Sequence, residues 1–560
     1  MKKIFGILLV LVLVVSLALS GVAFSSSPVE PPRTPMDYDV IIINGTVIDG
    51  SGAAGYQADI AIKDGKIVAV LPHLMPPGLD KANPLGLDKA NPPGLDRAEV
   101  VIDATGMVVA PGFIDTHTHQ DGTIKYRPES LNFVFDGVTT VLGGMCGGGP
   151  WPVGEELDEC EAIGVGVNFA TLVGQGKIRR MVIGSGDIDP TPEELEQMKA
   201  LVAQAMEEGA FGLSTGLFYI PGCFTETEEI IELAEVAAAY GGIYTSHMRN
   251  EGLQVIESVA ETIRIGEEAG IPVQISHFKI VVFPMFDEAD TLIAMIEEAQ
   301  ARGVDVTADQ YPYATSSTGL RNVLIPTWAR EGGLEKFLER LEDPETAALI
   351  REEMLYILWL RCGDDEGLKN IRISRCSWEP AYTGKTLADI LVMEGQEVTF
   401  ANAVELTIYI YTNGGAGGLF TSQSEAVIAK FMSQPWVMVA SDSSTPRFGS
   451  GSPHPRAYGT NARVLGLYVR ERGVITLEEA IRKMTSLPAW RMGLDDRGLI
   501  GPGMWADIVV FDPDTVTDKA TFLDPHQYSE GFEWVLINGE VVIDQGEYTG
   551  ILAGKVLSHQ

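Results

Sequence analysis

The middle of the chain alternates short apolar runs with longer amphipathic segments. Eight short runs have the length and composition of buried strands: residues 112–117, 137–144, 166–174, 209–215, 241–247, 272–277, 303–309 and 435–442. Between several of them lie segments such as "TPEELEQMKALVAQAMEEG" (191–209) and "EEIIELAEVAAAYG" (228–241), with apolar residues at helical spacing and a glycine at the end. Eight strands separated by helices predict an α/β fold, a (β/α)8 barrel of the TIM type.

The two ends of the chain share another pattern, that of a β-rich domain. "DYDVIIINGTVIDG" (37–50) and "ADIAIKDGKIVAVL" (58–71) are β-branched runs broken by Asn-Gly and Asp-Gly, which favour tight turns. "ADIVVFDPDTV" (506–516) and "WVLINGEVVIDQG" (534–546) have the same character. We therefore predict a small β-sandwich domain from residues 38–108 and 500–550, the barrel from 109–319 and 431–499, and an inserted subdomain or lid at 320–430 after strand 7.

The first residues have the layout of an export signal. Two lysines precede a long apolar run, and small residues, serines and a proline follow it in "MKKIFGILLVLVLVVSLALSGVAFSSSP". This order predicts a signal peptide over residues 1–27 and an extracytoplasmic or secreted protein. The run is near the length that spans a bilayer, so an uncleaved N-terminal anchor is the alternative.

The charge balance narrows the class of partner. The 560 residues include 40 Lys and Arg against 77 Asp and Glu, which argues against nucleic acid or an anionic membrane surface and favours solubility. Any contact with a membrane would come through the N-terminal segment. We expect the partner to be a small-molecule substrate.

Residues 77–98 form a tandem repeat of an eight-residue unit, "PGLDKANPLGLDKANPPGLDRA". So short a unit is too small for a solenoid and is typical of a duplicated surface loop, because lengthening a loop costs little free energy. We assign no function to this repeat.

The five cysteines are Cys146, Cys160, Cys223, Cys362 and Cys376. An odd number leaves at least one unpaired within the chain. Cys362 and Cys376 are close enough in sequence for a disulfide, but a core of this size needs no staple.

Residues capable of metal chemistry occur where the predicted strands end. His117 and His119 end the first, Cys146 follows the second in "VLGGMCGGGP", and His247, His277 and Asp442 end the fifth, sixth and eighth. In a barrel these ends converge on the face that carries active sites. Imidazole, thiolate and carboxylate together suit zinc.

Each of these residues also has an ordinary interpretation when taken alone. A His-x-His pair in a loop is often incidental, a lone cysteine is most often a buried apolar filler, and Asp442 in "ASDSST" could cap a helix. Four of the eight histidines at strand ends are hard to explain in this way. Together the residues predict a metal centre.

The motifs around these residues resemble a known family. "VVAPGFIDTHTHQDG" is similar to the first-strand signature of the amidohydrolase superfamily. "GGMCG", "YTSHMRNEG", "QISHFK", "ASDSS", "PHPRAYGT" and "GLIGPGMWADIVVFD" resemble the D-aminoacylase (N-acyl-D-amino-acid deacylase) branch, over almost all of residues 38–550.

This resemblance implies a metal-ligand set and a mechanism. His247 and His277 would hold a tightly bound zinc ion, and His117, His119 and Asp442 a second, weaker position. Cys146 would lie between them as a thiolate. The implied reaction is attack on the acyl carbonyl by a hydroxide that zinc generates near neutral pH, with Asp442 as general base and then general acid.

The resemblance also implies a clamp for the α-carboxylate of the substrate. It consists of Lys279, Tyr311, Ser317 and Arg456, and the planar guanidinium of arginine suits a carboxylate. Without the family, Lys279 and Arg456 would be read as solvated surface charges. One departure from the family pattern is Gln175, where many relatives carry histidine, so we expect altered electrostatics near the carbonyl or an altered substrate preference.

The function that follows is zinc-dependent hydrolysis of the linear amide of N-acyl-D-amino acids. Alternatives are another amidohydrolase activity, on cyclic amides or D-dipeptides, and, in a different class, a non-catalytic binding protein or a thiol redox protein. The cysteine among the strand-end histidines and the carboxylate clamp favour the first.

Overall fold

The computed structural model describes residues 38–72 and 98–559. The predicted signal peptide and the repeat, except for Ala98, lie outside these residues. No helix within the two described ranges has both the length and the apolar character needed to cross a membrane.

The first described residues form part of a β-sheet domain. Its first strands are β1 (Tyr38–Val47), β2 (Tyr56–Lys63), β3 (Lys66–Pro72), β4 (Ala98–Asp103) and β5 (Val108–Pro111). The β2–β3 hairpin turns at Asp64 and Gly65, whose φ angles of 50° and 75° are those that the predicted Asp-Gly turn requires. β1 pairs antiparallel with β2 and parallel with β4 and β5, so the sheet is mixed.

The central strands form a parallel barrel. They are β6 (Phe113–Asp115), β7 (Val138–Gly143), β8 (Asn168–Thr171), β9 (Val173–Gly174), β10 (Gly212–Gly216), β11 (Ile243–His247), β12 (Val273–Ile275) and β13 (Val306–Gln310). Only Leu172 separates β8 from β9, so these two strands share the third position. β6, β7 and β8 pair in one arc, and β9 to β13 continue in a second.

Seven helices accompany these strands: α1 (Leu131–Val134), α2 (Val153–Ile163), α3 (Gln175–Val182), α4 (Pro192–Glu207), α5 (Thr227–Ala239), α6 (Val255–Ala269) and α7 (Ala289–Ala301). α4 begins where the sequence predicts, because Thr191 and Glu194 form a reciprocal capping box at its N-terminus.

An inserted subdomain follows β13. Its strands are β14 (Thr315–Gly319), β15 (Ile371–Arg375) and β16 (Gly417–Thr421), in an antiparallel sheet of order β14-β16-β15. Its helices are α8 (Leu320–Leu324), α9 (Thr327–Arg330), α10 (Gly333–Glu342), α11 (Pro344–Cys362), α12 (Leu387–Met393) and α13 (Phe400–Thr412). Phe337, Leu358, Leu391 and Phe420 are among the buried residues of its own hydrophobic core.

The boundaries of the insertion differ from the predicted 320 and 430. Its sheet begins at Thr315 and ends at Thr421, so Ser317 belongs to the insertion rather than to the barrel. The next helix, α14 (Glu425–Met432), belongs to the barrel, since the Phe431 ring packs against the Phe278 ring with centroids 4.2 Å apart.

The chain then closes the barrel with β17 (Val437–Val439), which pairs parallel with β13. Just beyond the strand ends, Asp442 N donates to His117 O at 2.9 Å and His119 N donates to Ser443 O at 2.8 Å. These two hydrogen bonds thus connect the eighth strand position to the first at the candidate ligands. α15 (Arg456–Arg463), α16 (Leu477–Met484) and α17 (Ser486–Met492) follow.

The last strands return to the β-sheet domain. They are β18 (Ile508–Phe511), β19 (Phe532–Ile537), β20 (Glu540–Asp544) and β21 (Glu547–Tyr548). β18 pairs antiparallel with β5, which joins both ends of the chain in one nine-stranded sheet. Ile42, Ile60, Ile508 and Leu536 are buried in its core. The predicted fold, a barrel with a small β domain from both chain ends and an insertion after the seventh strand, is confirmed.

Candidate metal centre and substrate cavity

The barrel brings the six predicted ligands to one face. Each lies at or just after the carboxyl end of a strand: His117 and His119 after β6, Cys146 after β7, His247 at the end of β11, His277 after β12 and Asp442 after β17. Four of the six are buried, and His119 and Cys146 are partly exposed.

Cys146 lies among three of the histidines. Its Sγ is 3.5 Å from His117 Nε2, 3.6 Å from His247 Nδ1 and 3.8 Å from His277 Nε2. Burial raises the pKa of this thiol, but the imidazoles, His117 first, hold the pKa well below its usual value. The residue is therefore a thiolate surrounded by ring nitrogens.

The glycines around Cys146 allow close packing of backbone on backbone. A Cβ on Gly216 would lie 2.1 Å from Cys146 O, and a Cβ on Gly174 would lie 1.5 Å from Gly148 O. Any side chain at either position would push the cysteine loop away from β9 and β10. The glycines therefore hold Cys146 against the strands that face it.

Asp442 joins the first two histidines at the other side of the cluster. Its Oδ1 lies 3.2 Å from His119 Nε2 and 3.5 Å from His117 Nε2. Burial raises the pKa of this carboxyl, but Arg456 and then His117 keep the pKa well below its usual value. The side chain is a carboxylate at neutral pH.

The donor set fits zinc. Three groups of side chains have ligand atoms that all lie within 4.8 Å of one another. The first is His117 with Cys146 and His277; the second is His117 with His119 and Asp442; the third is His247 with Glu251 and His277. His247 Nδ1 and His277 Nε2 face each other at 2.8 Å beside the sulfur. Imidazole nitrogens, a thiolate and a carboxylate converging in this way are the ligands that zinc prefers.

Asp309, which the sequence reasoning missed as a site residue, orients two of the histidines. Its Oδ1 lies 3.1 Å from His117 Nδ1 and accepts a hydrogen bond from His277 N at 2.7 Å. Gln274 Nε2 donates to its other oxygen at 2.6 Å. A carboxylate on the far nitrogen of a ligating histidine fixes the ring and its tautomer. The available signal was its position at the end of the seventh predicted strand, "GVDVTAD".

Glu251 was also missed, although it lies in the quoted motif "YTSHMRNEG". Its Oε1 is 2.9 Å from His277 Nδ1 and accepts from Lys279 Nζ at 2.5 Å. It therefore orients His277 from the side opposite Cys146 and holds the predicted clamp lysine. Burial would raise the pKa of Glu251, but Lys279 and the two nearby histidines lower it strongly.

Three of the six predicted ligands have left-handed backbone. The φ angles are 56° at Cys146, 36° at His277 and 51° at Asp442. Such a conformation costs a non-glycine residue on the order of 1–3 kcal/mol, and it persists only where surrounding contacts enforce it. Its concentration at this cluster indicates a functional site.

A cavity of about 650 Å³ opens beside the cluster, between the strand ends and the insertion. All four predicted clamp residues line it: Lys279, Tyr311, Ser317 and Arg456. The Arg456 guanidinium lies 4.6 Å and the Lys279 ammonium 5.7 Å from the centre of the Tyr311 ring. Arg456 Nη1 is 2.8 Å from Asp442 Oδ2, which links the clamp to the ligand set.

Gln175 does not line this cavity. Its amide is buried and donates to Thr225 Oγ1 at 3.0 Å and Glu229 Oε1 at 3.1 Å, next to the buried ion pair of Glu229 with Arg179. The expectation that Gln175 alters the electrostatics at the carbonyl is therefore replaced by a packing role between helices.

All five cysteines are free thiols, so Cys362 and Cys376 form no disulfide.

An eight-stranded barrel with a histidine, cysteine and aspartate cluster beside a cavity defines the class of metal-dependent barrel hydrolases. The chain belongs to the amidohydrolase family, whose family model matches residues 100–543. This confirms the family that the sequence motifs resemble.

Three known proteins are similar over nearly the whole chain. The D-aminoacylase of Alcaligenes xylosoxydans xylosoxydans is 33% identical, over 93% of this chain and 98% of its own. The N-acyl-D-glutamate deacylase of the same organism is 34% identical, over 90% and 94%. The crystal structure of the N-acyl-D-glutamate deacylase of Bordetella bronchiseptica, in complex with zinc and a phosphonate mimic of the tetrahedral intermediate, has a TM-score of 0.76 and 32% identity, over 93% of this chain and 100% of that one.

Proposed function

We propose that the protein hydrolyses the amide bond of N-acyl-D-amino acids with zinc as its cofactor, releasing a carboxylate and a D-amino acid. The observation that carries the proposal is the Cys146 thiolate among His117, His247 and His277, in a chain that matches deacylases of this substrate class over almost its full length.

The chain offers two adjoining metal positions. Cys146, His247 and His277, whose ligand atoms lie 2.8–3.8 Å apart, would hold the tight zinc ion. His117, His119 and Asp442 would hold a second, weaker ion. When bound, zinc polarises the acyl carbonyl and lowers the pKa of a water molecule to about 7. Asp309 and Glu251 hold the rings of His117 and His277 in the orientation that such binding needs.

Asp442 is the proton carrier of the proposed reaction. It is a buried carboxylate at the mouth of the cluster, in contact with His119 on one oxygen and Arg456 on the other. It accepts the proton of the attacking water and returns that proton to the departing amine nitrogen. No covalent acyl-enzyme is required, because water attacks directly.

The clamp positions the substrate for this attack. Arg456 uses part of its hydrogen-bonding capacity on Asp442 and keeps further N–H donors for an α-carboxylate. The Lys279 ammonium already contacts Glu251 Oε1, His277 Nδ1 and His277 O, so it attracts the α-carboxylate through its charge. The Tyr311 hydroxyl is held by Gln423 Nε2 at 3.1 Å, and Ser317 faces the cavity from the insertion. With the α-carboxylate and the acyl carbonyl both fixed, the side chains of the two enantiomers point to opposite sides of the α-carbon, so a cavity that is open on one side only would select one enantiomer.

The test is chiral. Zinc-loaded full-length protein is assayed with N-acetyl-D- and N-acetyl-L-amino acids, with release of the free amino acid measured. We expect turnover of the D series alone, and a loss in kcat on the order of 100-fold or more for Asp442→Asn. Turnover of L-substrates or of cyclic amides alone would refute the proposal.

We also propose that the protein acts outside the cytoplasm, exported by residues 1–27. The support is the sequence layout of that segment, with its two lysines, apolar run and small residues. Fractionation of the producing cell, followed by N-terminal sequencing, tests it. A mature N-terminus near residue 28 in the extracytoplasmic fraction is expected, whereas full-length protein in the membrane fraction would indicate the anchor.

A further inference from the structure

Three cationic side chains line the substrate cavity: Lys279, Arg361 and Arg456. Two of them have a carboxylate partner, since Lys279 Nζ lies 2.5 Å from Glu251 and Arg456 Nη1 lies 2.8 Å from Asp442. Arg361 forms no ion pair with any carboxylate in the described ranges, and its Nη1 donates only to Ser422 Oγ at 3.3 Å. An arginine has five N–H donors, so most of the donors of this cavity-lining residue have no protein partner.

Arg361 is held in place by the insertion. It lies in the last turn of α11, with its guanidinium 5.7 Å from the centre of the Phe420 ring. Burial lowers the pKa of Arg361 to about 10, against the raising effect of the Glu251 carboxylate, so the group is charged at neutral pH. Arg361 is half-buried and has no carboxylate partner, so a ligand anion that reaches its free N–H groups gains a charge-assisted hydrogen bond.

The walls next to Arg361 are apolar. Leu360 and Ile357 on the same helix, and Val281 and Val282 after β12, line the same cavity. A small buried cluster is formed by Val281, Val282 and Leu360. Apolar walls beside one cation match a group with methylenes and a terminal carboxylate, because the stem is desolvated favourably and the carboxylate pairs with the guanidinium.

Glu353 is the acidic residue of α11 that lines the cavity, and it lies away from Arg361. Glu353 precedes it by eight residues, about 12 Å along the helix axis, and accepts a hydrogen bond from Trp328 Nε1 at 2.9 Å. An anion is therefore attracted to the Arg361 end of the cavity and repelled from the Glu353 end. The α-carboxylate already has its own cations in Lys279 and Arg456.

We propose that Arg361 binds the side-chain carboxylate of the substrate and selects N-acyl-D-amino acids with acidic side chains. This inference rests on the proposed function and specifies its substrate class. Arg361 is a specificity-determining residue supplied by the insertion, whereas the metal ligands and the clamp come mainly from the barrel.

The experiment compares two substrates that differ in charge but not in shape. Zinc-loaded full-length protein is assayed with N-acetyl-D-glutamate and N-acetyl-D-glutamine, as wild type, Arg361→Gln and Arg351→Gln. Arg351 is the matched control, because it lies on the same helix but pairs with Glu405 at the surface. We expect wild type to favour the glutamate, and Arg361→Gln to lower kcat/KM for the glutamate about 100-fold, mainly through KM, while the value for the glutamine changes by less than about 3-fold.

The outcomes distinguish failure of the proposed role of Arg361 from failure of the proposed deacylase function. Equal loss on both substrates in Arg361→Gln, or a wild type without preference for the glutamate, would overturn the role of Arg361 while the deacylase function stands. No hydrolysis of either substrate by the wild type would refute the proposed function, and the inference with it. Unchanged kinetics in Arg351→Gln, and retained activity of Arg361→Gln on the glutamine, show that neither substitution disturbs the fold.

Discussion

At the scale of single residues, the chain places its reactive groups at backbone positions that cost stability. Cys146, His277 and Asp442 all have φ angles between 36° and 56°, a region that non-glycine residues rarely adopt, although Asp and His adopt it more often than Cys. The sulfur, the ring and the carboxylate all point into the cluster beyond the strand ends. Selection for the arrangement of these three groups explains why the cost is tolerated.

The proposed role of Cys146 as a zinc ligand predicts the effect of Cys146→Ser. A serine hydroxyl is not ionised at neutral pH and is a poor zinc ligand, so zinc affinity should fall at least about 100-fold and kcat/KM should fall with it. Zinc per chain, measured by mass spectrometry after dialysis, checks this. Cys223→Ser is the control, because that thiol does not line the cavity and burial raises its pKa to about 11. Full zinc content in Cys146→Ser would contradict the assignment.

Asp309 should act as a positioning residue through the histidines it holds. Asp309→Asn replaces one acceptor oxygen with a donor, so the side chain no longer accepts from His117, His277 and Gln274 together. We expect zinc affinity and kcat each to fall about 10- to 100-fold. Competition with a coloured chelator measures the affinity.

Asp305→Asn provides the matched control for Asp309→Asn. Asp305 directly precedes β13 and pairs with Arg491 at 2.5 Å, away from the cavity. Its loss should reduce stability but leave zinc affinity unchanged. Equal zinc affinities in Asp309→Asn and wild type would contradict the positioning role of Asp309.

The sequence located the candidate ligands but not the residues that orient them. His117, Cys146 and Asp442 follow apolar strands, and the convergence of strand ends is a general property of the barrel. Glu251 comes four residues after the end of β11, in a loop whose path no periodicity predicts. Its contact with Lys279 and His277 exists because the loops after β11 and β12 pack together in space, which a linear pattern does not encode.

At the scale of elements, the eight barrel strands and the helices α4 and α5 follow from apolar periodicity, but the start of the insertion does not. β14 has the sequence "TSSTG", which contains no apolar residue and therefore no strand signal. It is a strand because β16 supplies hydrogen bonds along its whole length, from Thr315 opposite Thr421 to Gly319 opposite Gly417. Pairing with a distant segment decides such an element.

Gln175 tests a connection between elements. It begins α3 and donates to Thr225, just before α5, and to Glu229 in the first turn of α5, so it ties the two helices together. Gln175→Ala should lower the free energy of unfolding by about 1–2 kcal/mol, because buried acceptors lose their donor, and should leave kcat/KM unchanged within about 2-fold. Chemical denaturation and kinetics measure the two effects.

Gln423→Ala is the contrasting variant for Gln175→Ala. Gln423 donates to the Tyr311 hydroxyl at the cavity, so its loss should raise KM with little effect on stability. A change of substrate preference in Gln175→Ala would show that Gln175 acts on the site after all.

At the scale of the whole molecule, the N-terminal and C-terminal β segments meet because β18 pairs with β5. This arrangement was predictable, since two β-rich segments at opposite ends of a chain bury their apolar faces most simply against each other. Val109 and Val510, one from each end, face each other across this pairing and are both fully buried. The positions of the β-rich segments along the chain therefore already indicate that they form one sheet.

The net charge of −37 predicts a salt-dependent stability of the whole protein. Like charges spread over the surface destabilise the compact state, and raising the salt concentration from about 10 to about 150 mM shortens the screening length from about 30 to about 8 Å. At pH 7 we expect Tm to rise by about 3 °C over this range. At pH 5, close to the isoelectric point of about 4.5, the rise should be under about 1 °C, because most of the repulsion is gone. Calorimetry in sodium chloride and in potassium chloride checks both values. An equal rise at the two pH values would point to specific ion binding, and a fall at pH 7 would show that stabilising ion pairs outweigh the repulsion.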